Sequence, residues 1–187
     1  MKSYPTYYKE QLFRSRLEAK WAVFFDLLNW PYTYEPYDLK GYIPDFILQF
    51  HEPLLVEVKP EVLFKNLKQH TDKILKSGWE KEILIVGADL FKSSWNDCST
   101  IGLLGQTWEM YGDINLKNEN PDFEEGILFH CDMCKKPSIF HSIQSYHCRV
   151  NGCHRGDKHM KPFDSALSLW GLAHEKIQWY PKKGDQE

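Results

Sequence analysis

Two acidic residues and one lysine stand at spacings that suit metal-assisted chemistry. Asp45 follows a proline in one apolar run, and Glu57 and Lys59 lie two residues apart in the next. Residues two apart on a strand project from the same face, so Glu57 and Lys59 are expected together. A short reversal over 49–53 would bring Asp45 beside Glu57. Because neighbouring carboxylates repel each other unless a cation lies between them, these residues predict a site for Mg²⁺ or Mn²⁺.

Lys59 and a third acid, Glu18, extend this candidate site. The Lys59 ammonium is expected to position or deprotonate an attacking water and to offset charge on a phosphorane-like transition state, which suits hydrolysis of a phosphodiester. Glu18 follows Arg14 by four residues and shares a helical stripe with Ala22 and Phe25, so it is expected to face the sheet. A carboxylate in an apolar face needs a cation or a partner, and both the metal ion and Arg14 are candidates.

Each of these features also has an ordinary structural interpretation. A Glu-x-Lys strand is common as a solvated cross-strand pair, and Asp45 after a proline is typical of a turn cap. Glu18 pairs readily with Arg14 at a helix surface. The combination favours the catalytic interpretation, because the acidic helix, the Pro-Asp strand and the Glu-x-Lys strand occur in this order along the chain.

These motifs resemble those of the PD-(D/E)XK nuclease superfamily, and its small phage- and mobile-element-type members most of all. The resemblance spans residues 9–87 and rests on the segment FRSRLEA over 13–19, on Pro44-Asp45 and on Glu57-Val58-Lys59. It implies that Asp45, Glu57 and the main-chain carbonyl of Val58 hold the catalytic Mg²⁺ or Mn²⁺. It also implies that Lys59 handles the water and that Glu18 is an outer or second-metal ligand.

The resemblance extends to the next helix and to the reaction. RecB-like members carry a Gln-x-x-x-Tyr motif there, whereas here Gln69 is followed four residues later by Lys73. Both are expected on one helix face, where they contact the substrate backbone, as Arg14 is expected to do. The implied activity is that of a DNA endonuclease that leaves 5′-phosphate and 3′-hydroxyl ends. Its sequence preference is expected to be weak, because the sequence contains no recognisable reader of base edges.

Four cysteines predict a structural zinc site. They form a C-x-x-C pair and a second, longer loop with thirteen residues between the two, namely Cys131 and Cys134, then Cys148 and Cys153. This spacing allows a hairpin that brings both pairs to one tetrahedral Zn²⁺, and the metal would fold a segment too small for its own core. Because His147 and His154 flank the second pair, a three-cysteine, one-histidine site is an open alternative, as are free buried thiols.

The cysteine segment is also basic. Its one acid between 135 and 161 is Asp157, and its basic residues are Lys135, Lys136, Arg149, Arg155, Lys158 and Lys161. With aromatic residues among them, this pattern favours a clamp on a phosphate backbone, and the candidate contacts are Lys135, Lys136, Arg149 and Arg155. The alternative is a solvated surface that keeps the segment soluble. A second basic set lies near the helix after Glu57 and comprises Lys65, Lys68, Lys73, Lys76 and Lys81.

The elements that position these residues follow from hydrophobic periodicity and from helix and strand breakers. They are a helix over 9–29, strands over 32–37, 42–50 and 54–59, a helix over 61–77, a strand over 82–86 buried on both faces, a hairpin within 95–112 and a helix over 163–176. This order predicts an α/β fold, with a restriction-endonuclease-like core whose central mixed sheet is flanked by helices, plus a small zinc-binding hairpin module. The expected units are the nuclease core (1–125), the zinc-ribbon-like module (126–162), and a C-terminal helix that packs back on the core and ends in a tail (163–187).

Composition limits the remaining possibilities. The chain has 187 residues, 42% of them hydrophobic, which suits one domain with a small appendage and excludes a disordered chain. The net charge of −3 excludes a uniformly basic nucleic-acid coat and leaves room for local basic regions. The chain has neither an apolar run long enough for a membrane span nor a signal-peptide core, so a cytoplasmic protein with reduced cysteines is expected.

The expected partner is nucleic acid, with DNA favoured over RNA, and no membrane. A homodimer stays open, because a small nuclease that cuts both strands often dimerises. The competing interpretation is a zinc-containing nucleic-acid-binding module whose core is inactive, and a third is a protein-interaction adaptor that uses the Trp-rich segment 95–108. The complete set of Asp45, Glu57 and Lys59 favours the enzyme.

Overall fold

The computed structural model describes residues 4–39, 41–79, 81–94, 98–106, 123–142 and 147–178. The strands in this part of the chain are β1 (Thr6–Tyr8), β2 (Gln11–Phe13), β3 (Tyr32–Tyr34), β4 (Phe46–Leu48), β5 (Leu54–Val58), β6 (Glu82–Lys92), β7 (Ser99–Gln106), β8 (Phe123–Cys131), β9 (Pro137–His141) and β10 (Met160–Pro162). The helices are α1 (Arg16–Leu27), α2 (Thr71–Leu75) and α3 (Ala166–Ile177), with 3-10 helices at Phe64–His70 and Asp157–His159.

Eight strands build one mixed sheet in the order β10-β8-β7-β6-β5-β4-β3, and β9 pairs with the edge of β8 opposite β7. Neighbouring strands run antiparallel except β5 and β6, which run parallel. The short strands β1 and β2 form a separate hairpin. The prediction of an α/β fold with a central mixed sheet is therefore confirmed.

Residues 83–86 of β6 are buried on both faces of the sheet, as their unbroken apolar run predicts. Leu84 and Val86 pack in the larger core cluster, which includes residues of α1 and α3. Ile83 and Ile85 pack in the smaller cluster on the other side, with Leu67 of the 3-10 helix. The strand runs to Lys92, six residues beyond the predicted end, and has an irregularity in its pairing after Val86.

Helix α1 begins seven residues later than predicted, because the preceding residues form the β1–β2 hairpin. Lys9 and Glu10 make its two-residue turn, with positive φ angles of 46° and 65°. Ser15 then caps the helix, and its Oγ accepts the N–H of Glu18 at 3.1 Å. The capping residues fix where the helix starts, and the apolar periodicity alone does not reveal them.

Two other predicted elements differ in form. The helix predicted over 61–77 is a 3-10 helix (Phe64–His70) followed directly by the short α2. The hairpin predicted within 95–112 is replaced, where the structure describes this stretch, by β7, a strand of the main sheet between β6 and β8. The rest of that expected hairpin, 95–97 and 107–112, lies outside the described residues.

The cysteine-bearing segment continues the central sheet. Strand β8 pairs with β7 at its start and with β9 along its second half, so a boundary between 125 and 126 falls inside this strand. Helix α3 packs on α1, where the Trp170 ring lies 4.4 Å from that of Trp21 and 5.1 Å from that of Phe24. Among the described helices, none has the length and apolar character needed to cross a membrane.

Candidate functional site

The two predicted acidic strands place their carboxylates side by side. Phe46 and Val56 are cross-strand partners in the antiparallel β4–β5 pair. The residue before Phe46 therefore lies opposite the residue after Val56, and these are Asp45 and Glu57. Both side chains are buried, with 5% of each residue exposed. The register thus produces the juxtaposition that the spacing predicted.

Asp45 is held by one backbone donor and one cation. Its Oδ2 accepts the N–H of Val58 at 2.7 Å, and its Oδ1 accepts Nη2 of Arg14 at 2.6 Å. Burial, together with the negative charge of Glu57, raises the pKa of Asp45 to about 7. The two hydrogen-bond donors offset only part of the cost of placing two carboxylates together inside the protein.

Glu57 has its own pair of donors. Lys59 Nζ lies 2.5 Å from Glu57 Oε1, so the two residues share a face as predicted. The hydroxyl of Tyr42 donates to Glu57 Oε2 at 2.7 Å. Burial and the charge of Glu57 raise the pKa of Tyr42, so its hydroxyl keeps its proton and remains a donor. The lysine side chain is 27% exposed and lies at the rim of the site.

Glu18 reaches the same region from the first turn of α1. Ser15 Oγ donates to Glu18 Oε1 at 2.8 Å, and the Tyr34 hydroxyl donates to Oε2 at 2.5 Å. The backbone N–H of Arg14 also donates to Oε2, while the guanidinium Nε is 4.0 Å away. Glu18 therefore faces inward, 8% exposed, and its partners are hydroxyl and backbone groups more than the Arg14 charge.

These acids suit a hard divalent cation by their chemistry, because carboxylate oxygens are the ligands that Mg²⁺ and Mn²⁺ prefer. In the described part of the chain, the carboxylate oxygens of these acids are not grouped as three or more ligand atoms within 4.8 Å of one another. Four cysteines form such a group. Arg14 and Lys59 instead supply positive charge to Asp45 and Glu57.

Sequence reasoning missed three residues whose hydroxyls hold the acids, namely Ser15, Tyr34 and Tyr42. The Ser-x-x-Glu spacing of Ser15 and Glu18 is a capping signature, so this contact had a signal in the sequence. Tyr34 lies sixteen residues from Glu18 along the chain, and such a distant partner has no local pattern that reveals it.

The predicted helix contacts to substrate are arranged differently. Gln69 lies in the 3-10 helix and Lys73 in α2, so the two do not share one continuous α-helical face. Gln69 Nε2 donates to Glu61 Oε1 at 2.8 Å, an oxygen that also contacts His70 Nε2 at 2.9 Å. The Lys73 side chain lies outside the described part of the structure.

The four predicted cysteines come together and can hold a metal ion such as zinc. Their Sγ atoms all lie within 4.8 Å of one another. The Sγ atoms of Cys131 and Cys153 are 3.5 Å apart, and those of Cys134 and Cys148 are 3.6 Å apart. Four thiolates at such distances suit the tetrahedral coordination of Zn²⁺.

Tight turns bring the cysteine pairs into this arrangement. After Cys134 the chain turns at Lys135, with a φ of 58°, and the Lys135 N–H donates to the carbonyl of Cys131 at 2.8 Å. Gly152 has a φ of 59° in the second loop, and its N–H donates to the carbonyl of Cys148 at 2.8 Å. Glycine relieves the strain of this backbone conformation, and its missing Cβ leaves room for a neighbouring ring.

Neither flanking histidine joins the four-cysteine set. His154 Nδ1 instead contacts the carbonyl of Gly156 at 3.2 Å. Burial, together with the positive charge of Arg149, lowers the pKa of His147 to about 4, so its ring is neutral at physiological pH. The remaining cysteine, Cys98, also lies outside the set.

Arg149 is not presented to a substrate backbone, contrary to the expectation from the basic pattern. Only 4% of the residue is exposed. Its Nε and Nη2 bind the two carboxylate oxygens of Glu82 at 2.6 Å and 2.5 Å, and Nη1 donates to the carbonyl of Ile139 at 2.8 Å. The Arg149 side chain, which the sequence predicted at the surface, therefore binds the second cysteine loop to β6.

The second cysteine loop is also fastened to the turn between β4 and β5. The backbone N–H of His51 donates to the carbonyls of Arg149 and Val150, at 3.2 Å and 3.0 Å. A Cβ on Gly152 would meet the His51 ring at 2.5 Å, so the ring lies directly against the glycine. The turn between β4 and β5 is therefore in direct contact with the second cysteine loop.

The other predicted basic contacts lie at the surface. Lys135 Nζ is 3.8 Å from Asp132, and Lys136 Nζ donates to Asn151 at 3.4 Å. Arg155 is exposed. These three side chains remain candidate contacts to a phosphate backbone.

Comparison with protein-family models, with curated proteins and with solved structures finds no match to this chain.

Proposed function

We propose that this protein is a metal-dependent nuclease that hydrolyses phosphodiester bonds, most simply a DNA endonuclease with weak sequence preference and a restriction-endonuclease-like core. The observation that carries the proposal is the convergence of Asp45, Glu57 and Lys59 at one end of β4 and β5. The carboxylates are buried side by side, and Lys59 Nζ lies 2.5 Å from Glu57. The resemblance to the PD-(D/E)XK superfamily assigns catalytic roles to the same three residues.

The chain's own groups supply the positioning that such a reaction needs. Asp45 and Glu57 would hold Mg²⁺ or Mn²⁺, which polarises the scissile phosphate and activates a water when bound. The backbone N–H of Val58 fixes one oxygen of Asp45, and the hydroxyl of Tyr42 fixes one oxygen of Glu57. Lys59 lies at the rim, where its ammonium can orient the water and offset developing negative charge.

Glu18 is proposed to assist the metal site formed by Asp45 and Glu57. It lies close enough to Asp45 that its negative charge helps to raise the pKa of that carboxyl. Ser15 and Tyr34 hold the Glu18 carboxylate in a single orientation. This placement suits an outer ligand of the metal, or a ligand of a second ion, more than a surface ion pair.

The cysteine centre, formed by Cys131, Cys134, Cys148 and Cys153, is proposed to hold a structural Zn²⁺. The four cysteines would supply all four ligands of a tetrahedral Zn²⁺, which would leave no open position for catalysis. The exposed residues Lys135, Lys136 and Arg155 of the same segment are proposed to contact the nucleic-acid backbone.

A zinc-containing nucleic-acid-binding module with an inactive core is the second candidate. The observation that favours it is that each buried carboxylate already has partners from the protein, with Arg14 on Asp45 and Lys59 on Glu57. Because the protein already supplies positive charge to both carboxylates, the ion pairs alone require neither a metal ion nor catalysis.

Cleavage of supercoiled plasmid and of a single-stranded circle in Mg²⁺ or Mn²⁺ separates the two candidates. The nuclease predicts nicking that Glu57→Gln and Asp45→Asn each reduce by about a hundredfold or more, because each removes a charge from the metal site. Glu52→Gln is the matched control, since Glu52 is an exposed acid in the β4–β5 turn. Absence of cleavage, with salt-sensitive binding retained, would favour the binding module, or a nuclease that needs a special substrate structure or a partner.

A further inference from the structure

The two oxygens of Asp45 have partners of different kinds. Oδ2 accepts the N–H of Val58, a backbone donor held in β5. Oδ1 accepts Nη2 of Arg14 at 2.6 Å, from a side chain that is 54% exposed. The oxygen with an exchangeable partner is therefore Oδ1. A cation that binds Asp45 there would meet the positive charge of the guanidinium on the same oxygen, and the two cations would repel each other.

Glu35 gives Arg14 a second carboxylate partner at the edge of the site. Its Oε1 lies 2.8 Å from Arg14 Nε, and its backbone N–H donates to the carbonyl of Asp45 at 2.9 Å. The Glu35 side chain is 35% exposed, against 7% for that of Asp45. The guanidinium therefore bridges one buried and one partly solvated carboxylate, which lie on neighbouring segments of the chain.

We propose that Arg14 and the catalytic divalent cation compete for Oδ1 of Asp45, and that Glu35 retains Arg14 at the site when the cation displaces it. This inference rests on the proposed function, because it assigns the cation to Asp45. Once displaced, the guanidinium stays beside Glu35 and offers N–H donors to a substrate phosphate, a group that arginine binds well. Arg14 then links metal loading to substrate binding, and Glu35 is a positioning residue.

The test is a titration of the 187-residue chain, loaded with zinc, with Mn²⁺, in which the electron paramagnetic resonance signal reports the free ion. Arg14→Gln is expected to bind Mn²⁺ about tenfold more tightly than the wild type, since a hydrogen bond between charged groups no longer competes. Arg16→Gln is the matched control. Arg16 is an exposed arginine two residues away, and its loss measures the general effect of one positive charge. That control is expected to stay within about twofold.

A double-mutant cycle isolates the part played by Glu35. Glu35→Gln is expected to weaken Mn²⁺ binding about threefold in the wild type, because Arg14 then stays on Asp45. The same change is expected to have little effect in the Arg14→Gln background, where no guanidinium is left to retain. An equal effect in both backgrounds would mean that Glu35 acts only as a distant negative charge, and would overturn its assigned role.

Two further measurements keep the outcomes distinct. Arg14→Lys keeps the positive charge but has a single ammonium in place of the guanidinium that contacts both carboxylates. Its Mn²⁺ affinity is therefore expected to lie between those of the wild type and Arg14→Gln. This variant also provides the test if Arg14→Gln folds poorly. Unchanged or weaker binding by Arg14→Gln and Arg14→Lys refutes the competition. Mn²⁺ binding that is absent from the wild type and from both variants, or that Asp45→Asn leaves unaltered, refutes the proposed function itself.

Discussion

Arg149 and Glu82 form a bidentate ion pair that joins the second cysteine loop to the first residue of β6. The guanidinium is almost fully buried, with 3% of its side chain exposed, while the Glu82 side chain is 16% exposed. Sixty-seven residues of sequence separate the two partners. The pair therefore connects the cysteine-bearing segment to the middle of the central sheet.

Arg149→Met is expected to destabilise the zinc-loaded protein by about 3 kcal/mol, because it leaves the Glu82 carboxylate without its buried partner. The free energy of unfolding, measured with denaturant, checks this value. Arg155→Met is the control, since Arg155 is exposed. In the double variant with Glu82→Gln the loss should shrink, and an undiminished loss would show that the ion pair is not its source.

Removal of the zinc ion proposed at the four cysteines is expected to loosen the β4–β5 turn as well as the cysteine loops. His51 binds the carbonyls of Arg149 and Val150, which lie between Cys148 and Cys153. Hydrogen exchange before and after chelation should show lost protection over 148–153 and at His51, with the α1–α3 contact retained. A variant with Cys98→Ser should keep its zinc. Unchanged protection of His51 after chelation would contradict the coupling.

Tyr34→Phe is expected to destabilise the protein by about 2 kcal/mol, because the lost hydroxyl donates to the buried Glu18 carboxylate. Tyr32→Phe is a matched control on the same strand, where the structure describes no hydrogen bond from the hydroxyl. Thermal or denaturant unfolding of both variants checks the difference. Equal effects of the two changes would indicate that the contact with Glu18 contributes little.

Asp45 is expected to make the stability of the metal-free protein fall as the pH rises. The pKa of this carboxyl is about 7 in the folded state, against about 4 when unfolded, so the folded state binds more protons between these values. The stability it contributes is fully present below about pH 4 and is lost as the pH rises through about 7.

The measurement is the difference in unfolding free energy between the wild type and Asp45→Asn, without divalent cations. An asparagine can still accept the N–H of Val58 but carries no charge. The variant should therefore gain on the wild type as the pH rises from about 4 to about 8. A difference that stays constant across this range would show that the Asp45 carboxyl titrates normally.

The features that sequence predicted best are those with a local period. Glu57 and Lys59 share a face because strand geometry requires it, and residues 83–86 of β6 are buried because they are apolar without interruption. The start of α1 escaped prediction. It depends on a two-residue turn at Lys9 and Glu10, which contains no glycine to reveal it.

The distant partners of the acids could not be predicted, because contacts between separate segments set them, such as Tyr34 on Glu18 and Arg14 on Asp45. The burial of Arg149 could not be predicted from the sequence for the same reason. Its charge and its basic neighbours indicate a surface residue, yet a single carboxylate from β6 makes burial favourable. A charged residue can be placed inside or outside only when its partner is known, and sequence order does not provide that partner.

The pairing of β8 across residue 125 also bears on how this protein could be dissected. A fragment ending there would retain Glu18, Asp45, Glu57 and Lys59, every residue that the catalytic proposal needs. It would also remove residues 126–131 of β8, which include the partners of Thr100 and Gly102 in β7, and the N–H and C=O groups left unpaired at that end of β7 would form a template for edge-to-edge aggregation. Shortening the chain to its candidate chemistry would therefore yield an insoluble fragment and not a minimal enzyme.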